Sequence, residues 1–288
     1  MLKLTTRRTV DPEGRMSLME HLRELRNRLI KAILALVVGG VIGWLFFDPI
    51  WDFLKQPYTR IPPEHCIDHK CDLVVHGIFD GFFIHLKVAL IAGAVISSPV
   101  WLYQIWAFVA PGLYRRERRW TYTFMAAAIP LFLVGAVLAY VTMDKGLKLF
   151  VGLAPGDTIV LVGIQDYLGY AQAMLLIFGL TFELPLFVVI LNMAGVLSFR
   201  TLIRTQRVTI FAIFVFAAVA TPSADPFTML ALAVPTVVLY EVAVLLAFFN
   251  DRRRAAAPDP YEGLSDDEAS PLDLEPLDAE PEGRGRRG

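Results

Sequence analysis

Long apolar runs separated by short charged bridges set the pattern of this chain. Charge is absent from Val88 to Tyr114 and again from Trp120 to Met143. Each run exceeds the roughly 20 helical residues that cross a ~30 Å hydrocarbon core. The same reading along the chain gives spans at 29–47, 81–107, 120–143, 167–192, 205–221 and 227–249. The predicted class is an all-α membrane protein with six transmembrane helices. Spans five and six are short, and Arg204 and Arg207 are placed to snorkel. Segment 48–80, with Pro57, Pro62 and Pro63, reads as a polar loop, and 144–166 as a second loop on the same side.

The polar positions organise what lies between the spans. Ser17-x-x-Glu20 has the form of a capping box. Leu18, Leu22, Leu25 and Leu29 then share one side of a helix, and Glu20, Glu24 and Arg28 another. That pattern predicts an amphipathic N-terminal helix lying along the cytoplasmic interface and leading into the first span. Gly39 and Gly43 form a small-xxx-small pair suited to close helix packing. Residues 1–16 read as a flexible extension and 17–250 as the membrane domain. Residues 251–288, with five prolines and many acids, read as a disordered acidic tail.

Basic residues fix the expected orientation. Arg15, Arg23, Arg26, Arg28 and Lys31 fall on the same side as Arg115, Arg116, Arg118 and Arg119. Arg200, Arg204, Arg207 and Arg252–Arg254 join them, whereas the opposite loops hold only scattered lysines and Arg60. Both termini are therefore expected in the cytoplasm. Trp101, Trp106, Tyr114 and Trp120 read as an interface belt.

Composition agrees with the pattern. Hydrophobic residues make up 56% of the 288 residues, and the mean hydropathy is +0.53. A net charge of −1 gives no pull toward nucleic acid. No phosphate-cradling loop, nucleophile elbow or two-His metalloprotease helix occurs in the sequence. The expectation is a non-enzymatic protein without a cofactor.

Candidate chemistry rests on a few acids. Glu24 and Glu117 are expected on the cytoplasmic face, where a carboxylate matches the planar fork of a guanidinium. The competing reading pairs Glu24 with Arg28, four residues on, and has Glu117 soften the repulsion between Arg116 and Arg118. Glu183 and Glu241 fall inside spans four and six, where a charge is costly and by default functional; Glu241 has the alternative of snorkelling. Asp225 sits in the tight turn before span six and reads as its cap. Cys66 and Cys71, with His65, His69 and His76 nearby, suit a disulfide in an oxidising compartment or, more narrowly, a metal site.

Several of these residues lie in runs that resemble the TatC family, the large polytopic subunit of the twin-arginine protein translocase. The runs are SLMEHLRELRNRL over 17–29, SPVWLYQIWAFVAPGLYRRER over 98–118, FELP over 182–185 and TPSAD over 221–225, followed by Pro235. The resemblance covers about 16–250. It implies a bacterial cytoplasmic-membrane receptor for signal peptides bearing two adjacent arginines. Folded cargo would cross using the proton-motive force, with single-span TatA- and TatB-type subunits as partners in a larger oligomer. By position it implies that Glu24 and Glu117 meet the arginines, with Arg26 and Phe108 in the same patch. Pro57 matches a required loop position, Glu183 the polar residue of a concave intramembrane face, and Asp225 the acid of the last outer turn. Met229 departs from the family pattern, which has Gln there. The alternative from another class is a proton-coupled small-solute transporter that uses Glu183 and Glu241 as relays.

Overall fold

The computed structural model describes residues 18–60, 73–75, 77–109, 118–153, 161–223 and 225–255. These form helices α1 (Leu18–Leu45), α2 (Phe47–Thr59), α3 (Asp80–Ile96), α4 (Ser98–Val109) and α5 (Arg118–Gly152). They continue with α6 (Ile164–Thr181), α7 (Leu184–Met193), α8 (Phe199–Ala220) and α9 (Pro226–Ala255). Five segments are long and apolar enough to cross a membrane: α1, α5, α6 with α7, α8 and α9. The pair α3–α4 makes the sixth, bent by 59°.

Several elements differ from the expectation. The amphipathic segment and the first span form one unbroken helix, α1, because no proline or glycine interrupts the first five turns. The side chains of the expected Ser17–Glu20 cap lie outside the described residues. Residues 48–59, expected as loop, lie in α2; their polar groups alternate with Phe47, Trp51, Leu54 and Tyr58 at helical spacing, and Leu54, Pro57 and Tyr58 are buried. Span two breaks at Ser97, whose hydroxyl bonds back to Gly93 O at 2.6 Å just ahead of Pro99. Helix α9 runs past the expected boundary at 250 to Ala255, and Arg252–Arg254 complement the partial negative charge of its last turn.

Glycine sets the closest helix contacts. A Cβ on Gly93 of α3 would lie 2.7 Å from Gly40 N, and one on Gly39 of α1 2.8 Å from Gly93 O. Gly43 packs on Ala89 and Ala92 in the same way. These backbones touch only because side chains are missing. Ile33, Leu34, Val37, Val38 and Val41 of α1 are exposed.

Of three buried apolar clusters among the described residues, the smallest joins Leu202 of α8 to Tyr240, Val244 and Ala247 of α9, and the other two are larger. One gathers Leu54, Tyr58, Val88, Tyr167, Met174 and Phe178. The other gathers Trp101, Leu102, Trp106, Phe124, Phe132 and Ile190. Trp101 and Trp106 thus belong to the core and not to an interface belt, with Trp106 1% exposed. Between the segments that precede α3 and α6, Val74 N–H donates to Val162 O at 3.1 Å and Ile164 N–H to Val74 O at 3.0 Å, an isolated parallel bridge.

Candidate functional site

Glu24 stands on α1 with its side chain 23% exposed. Arg28, one turn on, donates from Nε at 2.9 Å and from Nη2 at 2.6 Å. Both bonds end on Oε1, so the second oxygen, Oε2, has no partner among the described residues. A pair of this spacing and exposure contributes about 0.3–0.5 kcal/mol. It orients the carboxylate without sealing it. Arg26 projects to solvent, with a 3.5 Å contact to Asn27 Oδ1. Phe108 ends α4 beside the start of α1, where its ring stacks on His21 at 4.5 Å. Glu117 lies outside the described residues. Of the four expected patch residues, the structure therefore gathers Glu24, Arg26 and Phe108 at one end of the bundle. Arg23 and Lys31 on α1 are exposed as well, as are Arg200, Arg204 and Arg207 on α8 and Arg252–Arg254 at the end of α9.

The intramembrane acids occupy separate places. Glu183 precedes α7 in the short turn after α6 and is 4% exposed. Trp106 Nε1 donates to its Oε2 at 3.2 Å, while Oε1 has no partner among the described residues. Pro185 tolerates the break because the first turn of α7 needs no donor at that position. Glu241 of α9 accepts from Gln206 Nε2 of α8 at 2.7 Å. The two acids are bonded to different neighbours on different helix pairs, an arrangement that does not favour a shared proton relay.

At the opposite end, Pro57 explains how α2 docks. Proline has no N–H, so Phe53 O, four residues back, loses its intrahelical donor. The Tyr140 hydroxyl of α5 donates to it at 2.9 Å, with the two rings stacked at 4.3 Å. Tyr167 OH donates to the next carbonyl, that of Leu54. A proline in a helix thus becomes an attachment point.

Asp225 caps α9. Its Oδ1 accepts from Thr228 N–H at 2.8 Å and its Oδ2 from the Thr228 hydroxyl at 2.5 Å, with Pro226 as the first helical residue. Burial pushes the Asp225 carboxyl up, but hydrogen bonds from Ser223, Thr228 and the Phe227 backbone outweigh it and hold it below the ordinary value. A depressed carboxyl stabilises the fold above its unfolded pKa, and that contribution is lost as pH falls through the folded value. Replacing Asp225 by Ala is expected to cost about 0.5–2 kcal/mol. Melting curves of the two purified proteins should lie apart at neutral pH and converge in acid; a gap that does not narrow there would remove the cap.

One cluster was not anticipated. Asn192, 1% exposed, donates to Leu197 O at 2.8 Å and Asp251 Oδ1 at 2.9 Å, and accepts from Asn250 at 2.9 Å. Asp251 Oδ2 accepts from Phe199 N–H at 2.7 Å. This clasp closes the α7–α8 turn, where Gly195 takes a φ of +78°. An asparagine inside the apolar run LFVVILNM was its one visible signal. Cys66 and Cys71 lie outside the described residues, and so does any bridge or metal set built on them.

Six apolar crossings, two of them broken at Ser97 and near Glu183, define a polytopic α-helical membrane protein. The family model described as "Sec-independent protein translocase protein (TatC)" matches residues 20–235, and the chain belongs to the TatC family. It is 50% identical to the Sec-independent protein translocase protein TatC of Frankia casuarinae, covering 93% of this chain and 76% of that one. It is 39% identical to the Corynebacterium kroppenstedtii TatC, covering 92% and 69%. The crystal structure of the twin-arginine translocase receptor TatC in DDM superposes with a TM-score of 0.66 at 32% identity, covering 79% of this chain and 99% of that one. The chain is accordingly a multi-pass membrane component of a protein translocase, a transport family. The small-solute alternative is not favoured.

Proposed function

We propose that this chain is the signal-peptide receptor and core scaffold of a twin-arginine translocase, with its cationic end and both termini in the cytoplasm. The reading is carried by Glu24, a partly exposed carboxylate whose Oε2 has no partner among the described residues, one helical turn from the His21–Phe108 stack on a family scaffold. Glu24 and Glu117 would each take one guanidinium of the arginine pair, and Arg26 and Phe108 would complete the patch. An incoming arginine displaces Arg28 at modest cost, because an i, i+4 pair of this kind is weak. The exposed apolar faces of α8 and α9, including Val208, Phe211, Val219 and Val242, suit single-span TatA- and TatB-type partners in a larger oligomer. Folded cargo then crosses on the proton-motive force, and Glu183 acts after binding, in the membrane.

The test is competition between two peptides bearing Arg-Arg or Lys-Lys on the purified full chain. A guanidinium fork makes two parallel bonds where an ammonium offers a point charge, so a preference of at least about tenfold for Arg-Arg is expected. Equal binding of both peptides would overturn the reading.

A further inference from the structure

The start of α1 and the end of α4 meet through one pair of rings. The imidazole of His21 stacks on the phenyl ring of Phe108 with centroids 4.5 Å apart and planes 20° from parallel. Both side chains are half-buried. Glu24 lies three residues further along α1, on the adjoining flank of the same turn. Helix α4 is short, hangs beyond the 59° bend at Ser97, and is tied further in by the bond from Trp106 to Glu183. The stack holds its last turn, just before the chain departs at Val109 toward the segment that carries Glu117.

We propose that His21 is a positioning residue for twin-arginine recognition, its ring locking Phe108 and the end of α4 at a set distance from the Glu24 carboxylate. This deepens the receptor reading above and rests on it. Recognition of two adjacent guanidinium groups needs acceptors and an apolar platform at a defined separation. Those groups come from chain segments far apart in sequence, so something must hold them in register before the ligand arrives. A stacked ring pair does so at low entropic cost, since each ring has only two side-chain torsions to fix. Phe108 covers one face of the imidazole, and the positioning role is exerted through that contact with α4.

The test uses the full-length chain in detergent, the Arg-Arg and Lys-Lys peptides, and the variants His21→Leu and His21→Phe. A stacked pair accounts for roughly a three- to tenfold change in affinity. His21→Leu should weaken Arg-Arg binding by about that factor and leave Lys-Lys binding where it was. His21→Phe should restore Arg-Arg binding to within about twofold of wild type, because it keeps the stack and loses the ring nitrogens. If the wild type does not prefer Arg-Arg, the receptor reading falls and this proposal with it. If the wild type does and His21→Leu binds equally well, the positioning role alone falls. His21→Phe as weak as His21→Leu would assign the imidazole nitrogens to the ligand and overturn positioning. A lower melting temperature of His21→Leu with parallel loss of both peptides would assign the ring to general stability, and that also overturns it.

Discussion

Alanine at both Glu24 and Glu117 is expected to weaken binding of an Arg-Arg peptide by about 100-fold or more, and each single replacement by about tenfold. The magnitude follows from the charge-assisted bonds at stake, roughly 1.5–3 kcal/mol for each guanidinium held by a carboxylate, with about 1.4 kcal/mol per factor of ten. Glu24→Gln keeps the shape and a carbonyl acceptor but removes the charge, and should lose nearly as much as Glu24→Ala. Arg28 complicates the single variants, because freeing its guanidinium leaves a cation facing the ligand. Raising salt should therefore narrow the gap between Glu24→Ala and wild type. Peptide titration of the purified variants measures this directly. Unchanged affinity in both single variants would remove the two-carboxylate mechanism.

The largest effect on stability is expected at Gly93. Its missing side chain lets α3 touch α1, with Gly40 N, Gly40 Cα and Leu36 O standing 2.7, 3.0 and 3.1 Å from where a Cβ would be. All three are backbone atoms and cannot rotate away. Gly93→Val must push α1 off α3, at an expected cost of roughly 2–3 kcal/mol for overpacking. Helix α1 contacts little else: α3, α4 and, slightly, α2. The variant should melt at lower temperature, and limited proteolysis should cut α1 first. Gly81→Ala, at a position with nothing within 4 Å, is the control and should melt like wild type. A Gly93→Val protein as stable as that control would show that the seam is not close-packed. Because α1 carries Glu24, loss of the seam should also reduce Arg-Arg binding.

The spans were legible in the sequence because hydrocarbon thickness imposes a length that any apolar run either meets or misses. Gly39 and Gly43 were legible as a packing pair, and Asp225 as a cap, because both depend on local spacing. Helix α2 was not, since Asp48, Pro49, Asp52, Lys55 and Pro57 give Phe47–Thr59 the composition of a loop. Its helicity comes from tertiary docking, through Tyr140 and Tyr167. The break at Ser97 was marked by Pro99 but not its size. The indole bond to Glu183 and the ring stack at Phe108 join residues distant in the chain, and no pattern of period 3.6 reports such pairs. Of the candidate site, residue type and spacing left Glu24 open between a local pair with Arg28, which the structure contains, and a guanidinium acceptor, which the family resemblance implied. The orientation of its carboxylate, with Oε1 held by two bonds from Arg28, depends on the Arg28 rotamer.

The bridge between Val74 and the segment around Gly163 is made wholly of main-chain amides and carbonyls. Such a knot is blind to residue identity, so long as no proline removes a donor. The side chains at this bridge can therefore change without untying it. Asn192, Asn250 and Asp251 perform the equivalent job at the far end with side chains, so there the closure depends on residue identity.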